Sequence, residues 1–211
     1  MLLYSPSEDR LFHQRTGALD PWSWQWPPYE ETLPSDAKEV SAEEAVRCAY
    51  RMKRCRKLPV AIIGPKKAEA AHLQSAEQLG AALAGLGVPI LCGGKLGVME
   101  AAARGAHEAG GLTIGILPDT NWQAANDYIS LPLPTGLRSA RNYVVACSAV
   151  ALVAVGGQYG TTTEAAFGLD FGKTVIGLHD APQIEGVRFV DSVAEAVEIL
   201  LPVLLHLPEL S

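Results

Sequence analysis

Two short glycine-rich turns are the places in this chain where residue type and spacing suit ligand chemistry. Cys92-Gly93-Gly94-Lys95-Leu96-Gly97 runs into Val98-Met99-Glu100, and Gly156-Gly157-Gln158-Tyr159-Gly160-Thr161 runs into Thr162-Thr163-Glu164. Each lies between an apolar run and a helix-like segment. Paired glycines let a backbone reverse sharply and approach a ligand without a side chain in the way. The helix that follows points unsatisfied N–H groups and its positive dipole end at the same spot, a setting that suits phosphate. Two such turns imply one anion pocket built from two sides. Neither is G-x-G-x-x-G or G-x-x-x-x-G-K-[ST], so the usual dinucleotide and P-loop fingerprints are missing.

Polar side chains near these turns extend the pattern. Thr161 can cap its helix and offer a hydroxyl to a phosphate. Glu164 follows one turn later, placed either to meet the sugar or base of a ligand or simply to complement the helix dipole. Arg138 and Arg141 follow Thr135-Gly136; three apart at a helix start, they share a face and suit bidentate phosphate binding. Tyr143, Val144 and Val145 carry the chain past Arg141 into an apolar stretch, which weakens a plain surface ion pair there. Lys66 and Lys67 after Gly64-Pro65, and Lys95, are either pocket charge or solvated lysines. His179 and Asp180 end another apolar run and could line the cleft rim. Cys92 reads as a small core residue, since no histidine is paired with it.

Parallel strands and helices must position these groups. Apolar runs at Val60–Ile63, Val88–Cys92, Thr113–Leu117, Ala149–Val155 and Thr174–Leu178 are continuous rather than alternating, as in strands covered on both faces. Helical stretches are predicted over Ala68–Leu86, Gly97–Ala109, Leu137–Ser148, Thr161–Phe171 and Ser192–Leu205. This alternation predicts a doubly wound α/β sheet, mostly parallel, with helices on both faces. Ligands of such sheets sit outside the carboxyl ends of the strands at the switch point, where Gly64 and both glycine turns fall.

Residues 1–57 read as a separate arm before a domain of 58–211. The arm holds Trp22, Trp24 and Trp26, whose spacing puts three indoles on one face if the segment is extended. Ser41 with Glu44 resembles a capping box for a helix from Ala42 to Arg54. The arm is expected to pack on the main domain or on a neighbouring subunit. Across 211 residues, 17 Lys and Arg stand against 23 Asp and Glu, a net charge of −6. That balance argues against nucleic acid as the main partner. No secretory h-region follows Met1, and no apolar run reaches the roughly 20 residues a membrane helix needs. Four cysteines without C-x-x-C spacing suggest reduced thiols in a cytoplasmic protein, with no metal site.

Gly93 to Glu100, Pro134-Thr135-Gly136 with Ala140-Arg141-Asn142, and Gly156 to Glu164 together resemble the Lonely Guy (LOG) and molybdenum cofactor carrier superfamily, from about Val60 to Leu178. The resemblance implies a Rossmann-like fold, a homo-oligomer (dimer or tetramer) and a pocket for a phosphorylated ligand. Gly64, Gly93, Gly94, Gly97, Thr135, Gly136, Arg138, Arg141, Gly156, Gly157, Gln158, Tyr159, Gly160, Thr161 and Glu164 are then the candidate ligand contacts. On the enzyme branch, Arg141 and Glu164 would be the catalytic pair of a nucleoside 5′-monophosphate phosphoribohydrolase. On the carrier branch, the pocket would hold a molybdenum cofactor-like pterin or a nucleotide monophosphate without turnover. Gly156-Gly157-Gln158 stands where the enzymes carry Pro-Gly-Gly, and Arg141-Asn142 where they carry Arg-Lys. A bulky Gln158 would narrow the phosphate cradle, and Ala140-Arg141-Asn142 after Thr135-Gly136 looks more like the carrier branch.

Overall fold

A computed structural model describes residues 1–207. They form two compact units, Met1–Lys57 with the described residues from Leu201 onward, and Leu58–Leu200. The first unit contains a four-stranded antiparallel sheet that sequence reasoning missed. Its strands are β1 (Leu2–Ser5), β2 (Arg10–His13), β3 (Gly17–Ala18) and β4 (Lys38–Val40), in the order β3-β2-β1-β4. They are two to four residues long, too short for a periodic signal. Leu3, Phe12 and Ala18 form a small core that Tyr29 and Ala37 cover. Helix α1 (Ala42–Arg51) starts as predicted, with the Ser41 hydroxyl accepting from the Glu44 amide at 3.1 Å. It ends three residues before the predicted Arg54, because Met52 leaves the helical region with ψ at 139°.

The tryptophans do not share one face. Asp20 accepts from the Trp22 amide at 3.0 Å and from the Ser23 hydroxyl at 2.6 Å. This local side-chain turn competes with an extended chain and folds residues 20–25 back on themselves, with Trp24 at φ +57°. Trp24 is buried, its indole donating to the Arg56 carbonyl at 2.8 Å and packing on Tyr50, while Trp22 is 47% exposed.

The second unit holds a seven-stranded sheet. Its strands are β5 (Val60–Ile63), β6 (Ile90–Cys92), β7 (Thr113–Leu117), β8 (Leu131–Pro134), β9 (Ala151–Val155), β10 (Thr174–Leu178) and β11 (Arg188–Val190). The order is β11-β10-β9-β5-β6-β7-β8 and every pairing is parallel. Helices α2 (Ala70–Gly85), α3 (Val98–Glu108), α4 (Arg141–Ser148), α5 (Tyr159–Asp170) and α6 (Val193–Leu204) follow β5, β6, β8, β9 and β11; the last turn of α6 is counted with the first unit. Burial is complete along β5 and β9, which explains their unbroken apolar sequence. Ala61 and Ile63 of β5 meet Val145 and Ala146 of α4 and Ala165 of α5 in one core. Alternation sends Val60 and Ile62 to the other face. The fold is therefore the doubly wound α/β arrangement predicted. The edge strand β11 was not anticipated, being short and carrying Arg188. A 3-10 turn over Arg138–Ala140 precedes α4, so the predicted Leu137–Ser148 helix is shorter than its pattern. Among the described residues, no helix is long and apolar enough to cross a membrane.

Helices α2 and α3 cross with almost no side chain between them. A Cβ on Gly80 would collide with the Ala102 carbonyl, and one on Gly105 with the Glu77 carbonyl. Gly105→Ala should therefore destabilise by about 1–3 kcal/mol through overpacking. A Cβ at Gly85, the last residue of α2, meets nothing within 4 Å, and Gly85→Ala should stabilise by about 0.5–1 kcal/mol. Urea unfolding of the two variants checks the opposite signs. In the first unit, Trp24→Ala should cost about 3–5 kcal/mol and Trp22→Ala under about 1 kcal/mol, read by the same measurement.

Candidate functional site

The chain runs from β5 through β6 and β7 to β8, then returns to place β9 on the other flank of β5. The switch point lies between β5 and β9. Because the sheet is parallel, the turns after β5, β6 and β9 emerge on one edge. Gly64 sits in the turn after β5, where any Cβ would meet the Val98 side chain and the Val155 carbonyl at 2.6–2.7 Å. A cleft of about 440 Å³ opens there, lined by Gly64, Lys66, Arg141, Gln158, Thr161 and Glu164 among others.

At its floor, Arg141 Nη1 donates to Glu164 Oε1 at 2.6 Å, with the two side chains 10% and 7% exposed. Arg141 is the first residue of α4 and Glu164 lies in the second turn of α5, so packing of the two helices brings them together. Burial pushes the Glu164 carboxyl up to about 7, against the pull of Arg141. Asn142 Nδ2 donates to the Thr163 hydroxyl at 2.8 Å and to the Gly160 carbonyl at 3.3 Å, tying α4 to the first turn of α5. That turn has no side-chain cap at Gln158, and Gln158, Gly160 and Thr161 line the cleft. Gly156 (φ +62°) and Gly157 (φ +143°) hold conformations that L side chains rarely adopt, and a Cβ on Gly157 would collide with Thr161.

The first glycine turn serves differently. A Cβ on Gly93 would overlap the Arg141 guanidinium, so this glycine makes room for the arginine. Gly94 packs on Leu117 and its carbonyl accepts from the Asn126 amide at 3.0 Å. Gly97 (φ +72°) abuts the Pro65 and Lys66 carbonyls. Lys95 turns away to Asp119 at 2.8 Å and the Ala124 carbonyl at 2.9 Å. Thr135, Gly136 and Arg138 stand at the ends of β7 and β8. There the Thr135 hydroxyl donates to the Leu117 carbonyl at 2.7 Å, and the Gly136 amide to the Asp119 carbonyl at 2.9 Å. Exposed Arg138 has φ +51° and Tyr159 is 90% exposed. The cleft thus gathers Gly64, Arg141, Gln158, Gly160, Thr161 and Glu164, with the other candidates behind or beside it. Met99 and Asn142 also line it; neither type signals a ligand from sequence. Burial pushes the Cys92 thiol up to about 11, which suits a core residue. Among the described residues, no three His, Cys, Asp or Glu side chains converge as a metal set.

A parallel sheet, doubly wound about this switch point, defines a Rossmann-like α/β protein. A family model described as the SLOG cluster4 family matches residues 57–199, and the chain belongs to that family. A protein of Archaeoglobus fulgidus is 36% identical over 140 residues, covering 66% of this chain and 92% of the relative. Among solved structures, the molybdenum cofactor binding protein of Rippkaea orientalis is similar at 34% identity and TM-score 0.65, covering 69% of this chain and 96% of that one. The molybdenum cofactor carrier protein of Chlamydomonas reinhardtii is similar at 38% identity and TM-score 0.64, covering 70% and 99%. The similarity falls on the carrier side of the superfamily anticipated from the sequence. DNA processing protein A of Helicobacter pylori, 21% identical with TM-score 0.56, shares the fold alone.

The raised Glu164 carboxyl fixes the sign of a pH dependence. Between its ordinary range and about 7, the folded chain holds a proton that the unfolded chain has released. This contribution is full at low pH and is lost as pH rises through 7. The melting temperature should accordingly decline from pH 5 to pH 8, and Glu164→Gln should flatten the decline in a thermal-unfolding series.

Proposed function

We propose that the chain binds a phosphorylated small molecule in this cleft, a molybdenum cofactor-like pterin or a nucleotide, and holds it without turnover. The observation that carries this reading is Arg141, buried at the floor of the cleft beside the uncapped start of α5. A guanidinium desolvated in this way gives strong charge-assisted bonds to a phosphate, and the helix start adds backbone donors. Lys66 and Lys67 at the rim supply further positive charge. Similarity to proteins named for binding or carrying the molybdenum cofactor supports the pterin as cargo. The volume and the donor-rich lining fit the phosphate end of such a compound. Glu164 tunes the site: ionised, it neutralises Arg141, and protonated, it releases the arginine to the ligand. The phosphoribohydrolase reading is not favoured, since the similar solved structures are named for binding or carrying the molybdenum cofactor.

We further take the chain to work as a homo-oligomer, dimer or tetramer, in the cytoplasm. Tyr143 of α4, 51% exposed and edge-on to Phe167 of α5 and to Phe171 just past its end, supports a self-association face.

Calorimetric titration tests the binding reading. Sulfate, whose charge is constant near neutral pH, and inorganic phosphate should both bind. Sulfate affinity should rise as pH falls from 8 to 6, because Glu164 gains its proton near 7. The paired change Arg141→Gln with Glu164→Gln leaves no unpaired charge behind and should cost about 1.5–3 kcal/mol of binding, roughly 10–100-fold. Absence of affinity for sulfate, phosphate and molybdate in the wild-type protein would overturn the reading.

A further inference from the structure

The second glycine turn has a polar group on its other flank. A Cβ on Gly156 would meet Asp180 Oδ1 and His72 Nε2, each at 3.0 Å. These two atoms lie 2.7 Å apart. His72 is buried in the first turn of α2, and its Nδ1 accepts from the Glu69 backbone amide at 3.2 Å. With Nδ1 accepting, Nε2 carries the ring N–H and donates to Asp180. His72 therefore steadies the carboxylate. His179 reinforces the arrangement. It packs edge-on against His72 with ring centroids 4.9 Å apart, and its Nε2 bonds the Ser75 hydroxyl at 2.9 Å. It holds φ +59°, a left-handed conformation that costs a non-glycine residue energy.

Asp180 itself is 74% exposed and lines a second cleft of about 340 Å³ with His72, Glu69 and Gly157. Pro65, Lys67 and Gln158 line both this cleft and the one holding Arg141. The two clefts thus adjoin across the rim of one turn. Their chemistry is opposite: a buried cation on one side, an oriented acceptor on the other. A carboxylate that takes one bond from His72 keeps acceptor sites on both oxygens.

We propose that the cleft at Asp180 is a second subsite, which takes the donor-bearing end of the phosphorylated ligand whose phosphate lies at Arg141; this rests on the binding reading above. The chemistry recognised is a closely spaced pair of hydrogen-bond donors. In the pterins and nucleotides of the binding reading such a pair is the 2-amino-4-oxopyrimidine edge of guanine and pterins or the vicinal diol of ribose. A compound lacking one of the two donors leaves a charged acceptor short of a partner and binds less well.

Calorimetric titration of the wild type and of Asp180→Asn distinguishes the outcomes. The probes are inorganic phosphate, guanosine and inosine 5′-monophosphates, and ribose and 2-deoxyribose 5-phosphates. The wild type should prefer the guanosine over the inosine compound, or ribose over deoxyribose phosphate, by about tenfold; whichever pair is resolved names the donor source. Asp180→Asn should erase that preference, and Asp180→Ser should behave likewise. Both replace an exposed side chain, and unchanged thermal unfolding certifies the fold. Phosphate binding without either preference, or a preference that survives both substitutions, overturns the subsite alone. Failure of the wild type to bind phosphate overturns the binding reading and the subsite with it.

Discussion

A buried ion pair between two helices organises the carboxyl edge of the sheet. Arg141 and Glu164 meet at 2.6 Å where water scarcely reaches. Two charges removed from water repay the cost only when each is well partnered, so α4 and α5 must hold their relative position closely. The surroundings meet that demand. Gly93 clears space for the guanidinium, and Asn142 bonds α4 to the first turn of α5. Gly156 and Gly157 turn the chain so that Thr161 and Glu164 come down beside the arginine. The core formed by Val145, Ala146 and Ala165 on β5 and β9 supports both helices from below.

Seen from this pair, the two glycine turns have different tasks. The turn after β9 delivers the start of α5 to the cleft. The turn after β6 is occupied with protein groups: Gly93 by Arg141, Gly94 by Leu117 and Asn126, Lys95 by Asp119. It acts as the arginine's seat. The sheet's parallel course still places both turns on one edge, beside the switch point between β5 and β9.

Much of this was legible in the sequence because its causes are local or periodic. Continuous apolar runs such as Val60–Ile63 mark strands covered on both faces, and positive φ at Gly94, Gly97, Gly156 and Gly157 is what glycine is for. Arg141 and Glu164 stood out by type and by neighbouring pattern. What stayed hidden depends on distant partners or on competing local bonds. No spacing rule links Gly93 to Arg141, or His72 to Asp180, across the chain. In the first unit, two- to four-residue strands are too brief to show a period. There Asp20 captures the Trp22 amide and overrides the extended spacing of the tryptophans.

The outermost strand on one side, β8, reads Leu131-Pro132-Leu133-Pro134 and pairs with β7 through Gly115 and Leu117. Every second residue therefore lacks an amide hydrogen, and a strand arriving from outside would find an incomplete ladder. That margin disfavours edge-to-edge growth, so the apolar strands of this sheet are guarded from fibrillar stacking on that side by the prolines themselves.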